Sequence, residues 1–199
     1  TLSQNQKIKV FPGNREATVN DFLEWPVGNK ETCETGESVA ITLDKDLFVE
    51  RGNIISTVQN PPKLSNTLSV RLFWLGSEPL NLGDQVELRI TTSEYDVTVE
   101  SIITVINTKD LSHTRSNSIQ QNSIAEVVFR CRKKMVYDLF KVNNKLGRAV
   151  VTDGHNILGG CIIKSGNNQG IASQNLTTVP QSVSSEERAN VNGYEGSVL

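Results

Sequence analysis

The run Leu68-Ser69-Val70-Arg71-Leu72-Phe73-Trp74-Leu75 alternates apolar and polar residues and then sets two aromatics side by side. A period of two places Leu68, Val70, Leu72 and Trp74 on one face of an extended strand, with Ser69 and Arg71 on the other. Phe73 and Trp74 must therefore point opposite ways, so one of them is expected at an inter-domain or partner contact. The same period recurs on either side. Val86, Leu88 and Ile90 alternate with Glu87 and Arg89. Tyr95, Val97, Val99, Ile103 and Val105 read as one face of a long strand, and Ala125, Val127 and Phe129 continue the theme. Upstream, Val39, Ile41 and Leu43 oppose Ser38, Ala40 and Thr42. Turn signals separate the runs at Pro12-Gly13-Asn14, Arg51-Gly52-Asn53, Pro61-Pro62, Leu82-Gly83-Asp84 and Asp153-Gly154. No long segment carries a 3.6-residue apolar stripe. Val136 to Val142 is the one helix candidate in the body and fits a strand equally well. The expected class is all-β, a barrel or a sandwich of short antiparallel strands.

Composition bounds the function classes. The 199 residues carry a net charge of −2, with 37% apolar and 21% charged residues, as in a soluble globular chain. A chain built to wrap phosphate backbones would show a basic excess. No stretch approaches the roughly 18 apolar residues of a membrane-spanning helix. Thr1 to Lys9 is polar, with neither an initiator Met nor a signal-peptide core, so these residues are not expected to be a natural start. Cys33, Cys131 and Cys161 are far apart, with no C-x-x-C pair. They fit neither a disulfide framework nor a zinc site, and Cys131 and Cys161 read as small core residues. A reducing cytoplasm is the expected location.

Pro61-Pro62 is the strongest internal boundary, because proline donates no backbone hydrogen bond and resists central strands. The expected units are a short β unit over 1–60 and a longer one over 64–164. Residues 165–185 are rich in Ser, Asn, Gln, Thr and Gly and read as a flexible linker. Beyond it, Ser184 and Glu187 have capping-box spacing. Residues 186–199 then end in Gly196-Ser197-Val198-Leu199, which reads as the beginning of a strand.

Motifs that would carry chemistry are few. There is no G-x-x-x-x-G-K-[S/T] and no G-x-G-x-x-G. Gly159-Gly160 lies inside an apolar run and suits close backbone approach or a bulge. His113 and His155 stand in polar settings, and His155 fits a hairpin turn better than a catalytic or ligand role. Asp44, Asp46 and Glu50 read as a solvated edge. Arg130, Arg132, Lys133 and Lys134 form the one basic cluster. It suits phosphate, RNA or an acidic partner; the simpler and favoured alternative is a charged strand end that discourages edge pairing. No catalytic, cofactor-binding or metal residue is assigned. On the residues alone, the chain reads as a scaffold or interaction module.

Longer motifs add a resemblance. Thr35-Gly36-Glu37-Ser38-Val39-Ala40-Ile41-Thr42-Leu43, followed by Phe48-Val49-Glu50-Arg51-Gly52-Asn53, resembles the second domain of translation-factor-type GTPases. Gln6 to Val19, then Leu68 to Leu75, Pro79-Leu80, Gly83-Asp84, Leu146-Gly147-Arg148-Ala149 and Asn156 to Ile163, narrow this to the large, GTPase subunit of heterodimeric ATP sulfurylase. Ser184 to Ala189 and Asn192 to Leu199 resemble the entry to adenylylsulfate kinase. The resemblance implies two translation-factor-like antiparallel β-barrels, the first incomplete, then a linker and a short α/β start. It implies a bifunctional sulfate-activating enzyme that forms adenylylsulfate and pyrophosphate from ATP and sulfate and then phosphorylates the product. GTP, ATP and Mg are implied for that whole enzyme, and none in this stretch. The implied partners are the small catalytic subunit and the chain's own GTPase and kinase domains, with no membrane and no nucleic acid. The competing expectation is a barrel module that binds tRNA or another RNA.

Overall fold

The computed structural model describes residues 1–23, 30–108 and 112–167. Among these the chain is all strand and turn, with no helix. The N-terminal strands are β1 (Leu2–Ser3), β2 (Lys7–Phe11), β3 (Arg15–Leu23), β4 (Thr32–Cys33), β5 (Ala40–Leu43) and β6 (Ile54–Thr57). They make a four-stranded antiparallel sheet in the order β5-β3-β2-β6, with β1 and β4 as a separate pair. Its core is Ile8, Ala17, Val19, Phe22 and Cys33, with Val39, Ile41 and Leu43 packed against it as their alternation predicts. Among the described residues β5 and β6 each pair on one side only, so this sheet stays open.

The second set is β7 (Lys63–Trp74), β8 (Leu80–Asn81), β9 (Gln85–Ile90), β10 (Ser93–Ile106), β11 (His113–Thr114), β12 (Ser118–Ile119), β13 (Ile124–Tyr137), β14 (Arg148–Asp153) and β15 (Asn156–Asn167). The order β10-β13-β7-β15-β14-β9 closes on itself through β9–β10 pairing, giving a six-stranded antiparallel barrel. Closure leaves the six strands without a free edge. Leu68, Val70, Leu72, Trp74, Leu88, Ile90, Val97, Val127 and Phe129 fill the interior, the inward set that the period of two selects.

One long strand departs from the expected alternation. Val99, Ile102 and Val105 of β10 lie opposite Phe129, Val127 and Ala125 of β13. β10 therefore spends three residues for every two of its partner, through two bulges. Ile102 turns inward, and Ile103 faces solvent, 49% exposed, instead of sharing the inner face with Val105. Bulges of this kind bend a strand and help a sheet to curl.

The Val136–Val142 ambiguity resolves without a helix: Val136 and Tyr137 end β13, and Phe140 to Val142 form a turn. Asp153 and Asn156 pair across a two-residue hairpin loop in which Gly154 takes φ +57°. β15 also outlasts the expected start of the linker. Ser165, Gly166 and Asn167 still pair with Ser69, Leu68 and Thr67, so local composition yields there to a partner strand. The rest of 165–185, and the 186–199 segment, lie outside the described residues.

Glycines fix two close approaches. A side chain at Gly147 would lie 2.3 Å from the Phe140 backbone, which gives the Leu146-Gly147-Arg148-Ala149 motif a packing reason. Gly52, at φ +97°, carries the chain into β6 and packs on the β9–β10 hairpin. There the Ser93 hydroxyl donates to the Gly52 carbonyl at 2.5 Å.

Candidate partner-binding surface

The groups considered for chemistry are dispersed. Cys33, Cys131 and Cys161 are all buried and form no disulfide. Burial pushes the Cys161 thiol up to about 12, against a weak downward pull from the Ala149 backbone, so it is no nucleophile near neutral pH. His113 lies exposed in β11, and His155 lies exposed in the β14–β15 turn. The Asp44 carboxylate accepts the Thr18 amide at 2.6 Å, a contact that holds its pKa down and tethers β5 to β3. Among the described residues no three His, Cys, Asp or Glu side chains converge as metal ligands.

The basic cluster is split by its strand. Arg130 pairs with Glu100 across the sheet. The ladder to β7 breaks after Arg130, because Arg130 lies opposite Thr67 while Met135 lies opposite Ser65. Six residues of β13, Arg130 to Met135, thus span the length of three in β7, and Arg132, Lys133 and Lys134 bulge into solvent. The Asn66 side chain pins the bulge by donating to the Arg132 carbonyl at 3.1 Å. None of the three cations has an ion pair among the described residues.

The outer wall of the barrel carries a feature that only cross-strand register reveals. Phe73 lies opposite Ile124 on one side and Gly160 on the other, and Gly160 lies opposite Val150. Trp74 is inside, 3% exposed, and Phe73 is outside, 39% exposed, as their adjacency requires. The row Ile124–Phe73–Gly160–Val150 is thus an apolar band with a bare notch at the glycine. A Cβ placed on Gly160 meets nothing within 4 Å, whereas one on Gly159 meets the Phe73 carbonyl at 2.6 Å. Leu75 and Ile157 extend the exposed apolar surface, and Ile157 is 64% exposed.

Beside this band lies a shallow depression of about 540 Å³, lined by Arg89, Thr91, Lys145, Arg148, Ala149, Val150, Thr152 and Ile157. Arg89 is already engaged: its Nε meets Glu87 at 2.5 Å and Glu94 at 3.4 Å, and it donates to the Gly154 carbonyl at 2.9 Å. Glu87 also accepts from the buried Thr152 hydroxyl at 2.8 Å, and these two donors, Thr152 first, lower its pKa. The Lys145 and Arg148 side chains have no described partner. On the far side, Glu126 bridges Lys164 at 2.5 Å and Arg71 at 3.0 Å. Those two contacts, Lys164 first, hold the Glu126 carboxyl below its ordinary range.

Residues 67–164 match the family model described as GTP-eEF1A C-terminal domain-like. Those residues make up most of the closed barrel, which is thus similar to that family. Over more of its length the chain is related to sulfate adenylyltransferase subunit 1. It is 22% identical to that protein from Bacteroides fragilis over 152 residues, which is 76% of this chain and 32% of the relative. The corresponding protein of Aliarcobacter butzleri is 26% identical over 146 residues, 73% of this chain and 31% of the relative. The bifunctional enzyme NodQ of a Rhizobium species is 23% identical, over 77% of this chain and 24% of its own length. The chain thus spans about a third, or less, of the curated relatives it matches. Among solved structures, sup35 complexed with GDP superposes with a TM-score of 0.74 at 13% identity, over 83% of this chain and 41% of that one. At that identity the likeness shows the fold alone: a closed barrel preceded by a smaller antiparallel sheet.

Adjacency in the sequence required Phe73 and Trp74 to face opposite ways but left open which faces out, and it carried no sign of the surroundings of Phe73. The notch at Gly160 and the depression beside Val150 depend on register between distant strands, for which no local signal exists.

Proposed function

We propose that this chain is the β-barrel scaffold region of a bifunctional sulfate-activating enzyme. That enzyme combines GTP-dependent sulfate adenylyltransferase (ATP and sulfate to adenylylsulfate and pyrophosphate) with adenylylsulfate kinase. The observation that carries the reading is the similarity to sulfate adenylyltransferase subunit 1 over 152 residues, more than the closed barrel contains. The similarity to NodQ supports the fused kinase. In this reading the barrel is a rigid spacer. It holds a GTPase domain of the larger chain against the small catalytic subunit, in the cytoplasm.

We propose no GTP, ATP or Mg site on these residues. The sequence has no G-x-x-x-x-G-K-[S/T] loop, and among the described residues no three His, Cys, Asp or Glu side chains group as metal ligands. No chemical step is therefore assigned to these side chains, and those cofactors belong to the proposal for the whole enzyme. The test is a pyrophosphate-release assay. The 199-residue chain alone is expected to hydrolyse no GTP and form no adenylylsulfate, whereas the full-length gene product with its small subunit forms adenylylsulfate only when GTP is present. GTP-independent synthesis by the full enzyme, or turnover by this chain alone, would overturn the reading.

One observation favours a second reading, RNA binding: the unpaired Arg132-Lys133-Lys134 bulge. Three cations are few against the roughly 6–10 phosphate contacts that make binding steeply salt-dependent. Filter binding with tRNA at two salt concentrations separates the readings, since tight and steeply salt-dependent retention would favour RNA.

A further inference from the structure

We infer that the outer wall of the barrel at Phe73, Gly160 and Val150 is a docking site for an acidic protein segment that carries one apolar anchor side chain. Three independent observations converge on that surface.

First, β7, β15 and β14 align Phe73, Gly160 and Val150 in one transverse row. The two flanking side chains are 39% and 36% exposed. An outward sheet face of a free-standing barrel is ordinarily polar, and a contiguous exposed apolar patch marks an interaction site more often than a single exposed residue does. Second, the row is not flat. Gly160 leaves a gap one side chain wide between Phe73 and Val150, with nothing within 4 Å of where its Cβ would stand. A bare position between two apolar walls is shaped for a side chain from outside, and buried apolar anchors of that kind carry most of the energy of small interfaces. Third, the notch opens beside the depression that holds Lys145 and Arg148. Both cations lack a described partner, while nearby Arg89 is saturated by Glu87 and Glu94. Charge complementarity therefore selects a partner with carboxylates beside its anchor.

The occupant is a protein segment and not a nucleic acid, because the contact surface between the cations is apolar and carries no array of phosphate-spaced donors. This assignment stands on the barrel wall alone and does not depend on the sulfate-activation proposal.

The test uses the full 199-residue chain, isotopically labelled, and a synthetic peptide with a central phenylalanine flanked by aspartates. Titration is expected to give saturable amide shifts centred on Phe73, Val150, Gly160 and Arg148. Replacing the peptide's phenylalanine by alanine, or its aspartates by lysines, should weaken binding roughly tenfold, the scale of an interface hot spot. Gly160→Leu places its Cβ in open space, puts a side chain in the notch, and should weaken binding by about the same factor while the barrel stays folded. Arg148→Glu should weaken it and flatten its salt dependence. Shifts centred elsewhere, no saturation, or unchanged affinity in Gly160→Leu would overturn the proposal. So would concentration-dependent self-association of the wild type that Gly160→Leu abolishes, since a second copy would then be the occupant.

Discussion

Two adjacent glycines should respond to the same substitution with opposite signs. Gly159 faces into the β7–β15 seam, where a Cβ would stand 2.6 Å from the Phe73 carbonyl oxygen and 3.0 Å from Leu72 Cδ1. Carbon–oxygen contacts settle at about 3.3–3.6 Å, so Gly159→Ala asks two paired strands to part by roughly 0.7 Å. Overpacking of that kind costs about 1–3 kcal/mol. Gly160 faces outward, with nothing within 4 Å. Gly160→Ala removes freedom only from the unfolded chain and should stabilise by about 0.4–1 kcal/mol. The two variants should thus separate by about 1.5–4 kcal/mol. For a unit of this size that corresponds to about 2–4 °C in Tm for each kcal/mol. Urea unfolding of both variants against wild type measures this directly, with an unchanged m-value as the check that compactness has not altered. Equal midpoints for the two variants, or a Gly160→Ala less stable than Gly159→Ala, would refute the assigned facing and the register behind it.

Three further outcomes follow from the packing and charge of the barrel. Gly147→Ala puts a methyl group 2.3 Å from the Phe140 backbone and should cost about 3 kcal/mol, read as a drop in the urea midpoint. Glu126→Gln should destabilise at neutral pH by less than about 1 kcal/mol, because Arg71 and Lys164 are both largely exposed and solvent screens them. The Glu126 carboxyl titrates lower in the fold than its ordinary 4.5. Its stabilisation is therefore present above that value and is lost as pH falls through the folded pKa, so wild type and variant should converge in acid. Cys161, with its thiol raised to about 12 by burial, should resist a thiol-specific disulfide reagent at pH 8 (~8, near the free-thiol pKa) until the protein is unfolded. Prompt reaction of the folded chain at that cysteine would contradict its placement.

The sequence made the strand faces legible because burial enforces alternation: every inward residue of β7, from Leu68 to Trp74, could be named before the barrel was seen. Alternation fails where a bulge inserts a residue. Ile103 reads as inward from spacing, yet the bulges of β10 turn it outward, and bulges leave no compositional trace. Arg132, Lys133 and Lys134 looked continuous with Arg130 for the same reason, although the strand loops them out. Gly159-Gly160 was legible as a site of close backbone approach or a bulge, but which glycine faces the seam and which faces solvent required the register with Phe73 and Trp74. The proposed docking wall was invisible in sequence because its members lie on three strands that the chain order keeps apart. By contrast, the absence of a phosphate-binding motif is a purely local matter, and reading along the chain was sufficient to establish it.

The measurement that bears most directly on the proposed scaffold role is sedimentation velocity of this chain with the small catalytic subunit that the sulfate-activation proposal assigns to it. The account predicts a saturable complex that sediments faster than either component, with no nucleotide added. Two independent species across the whole concentration range would contradict it.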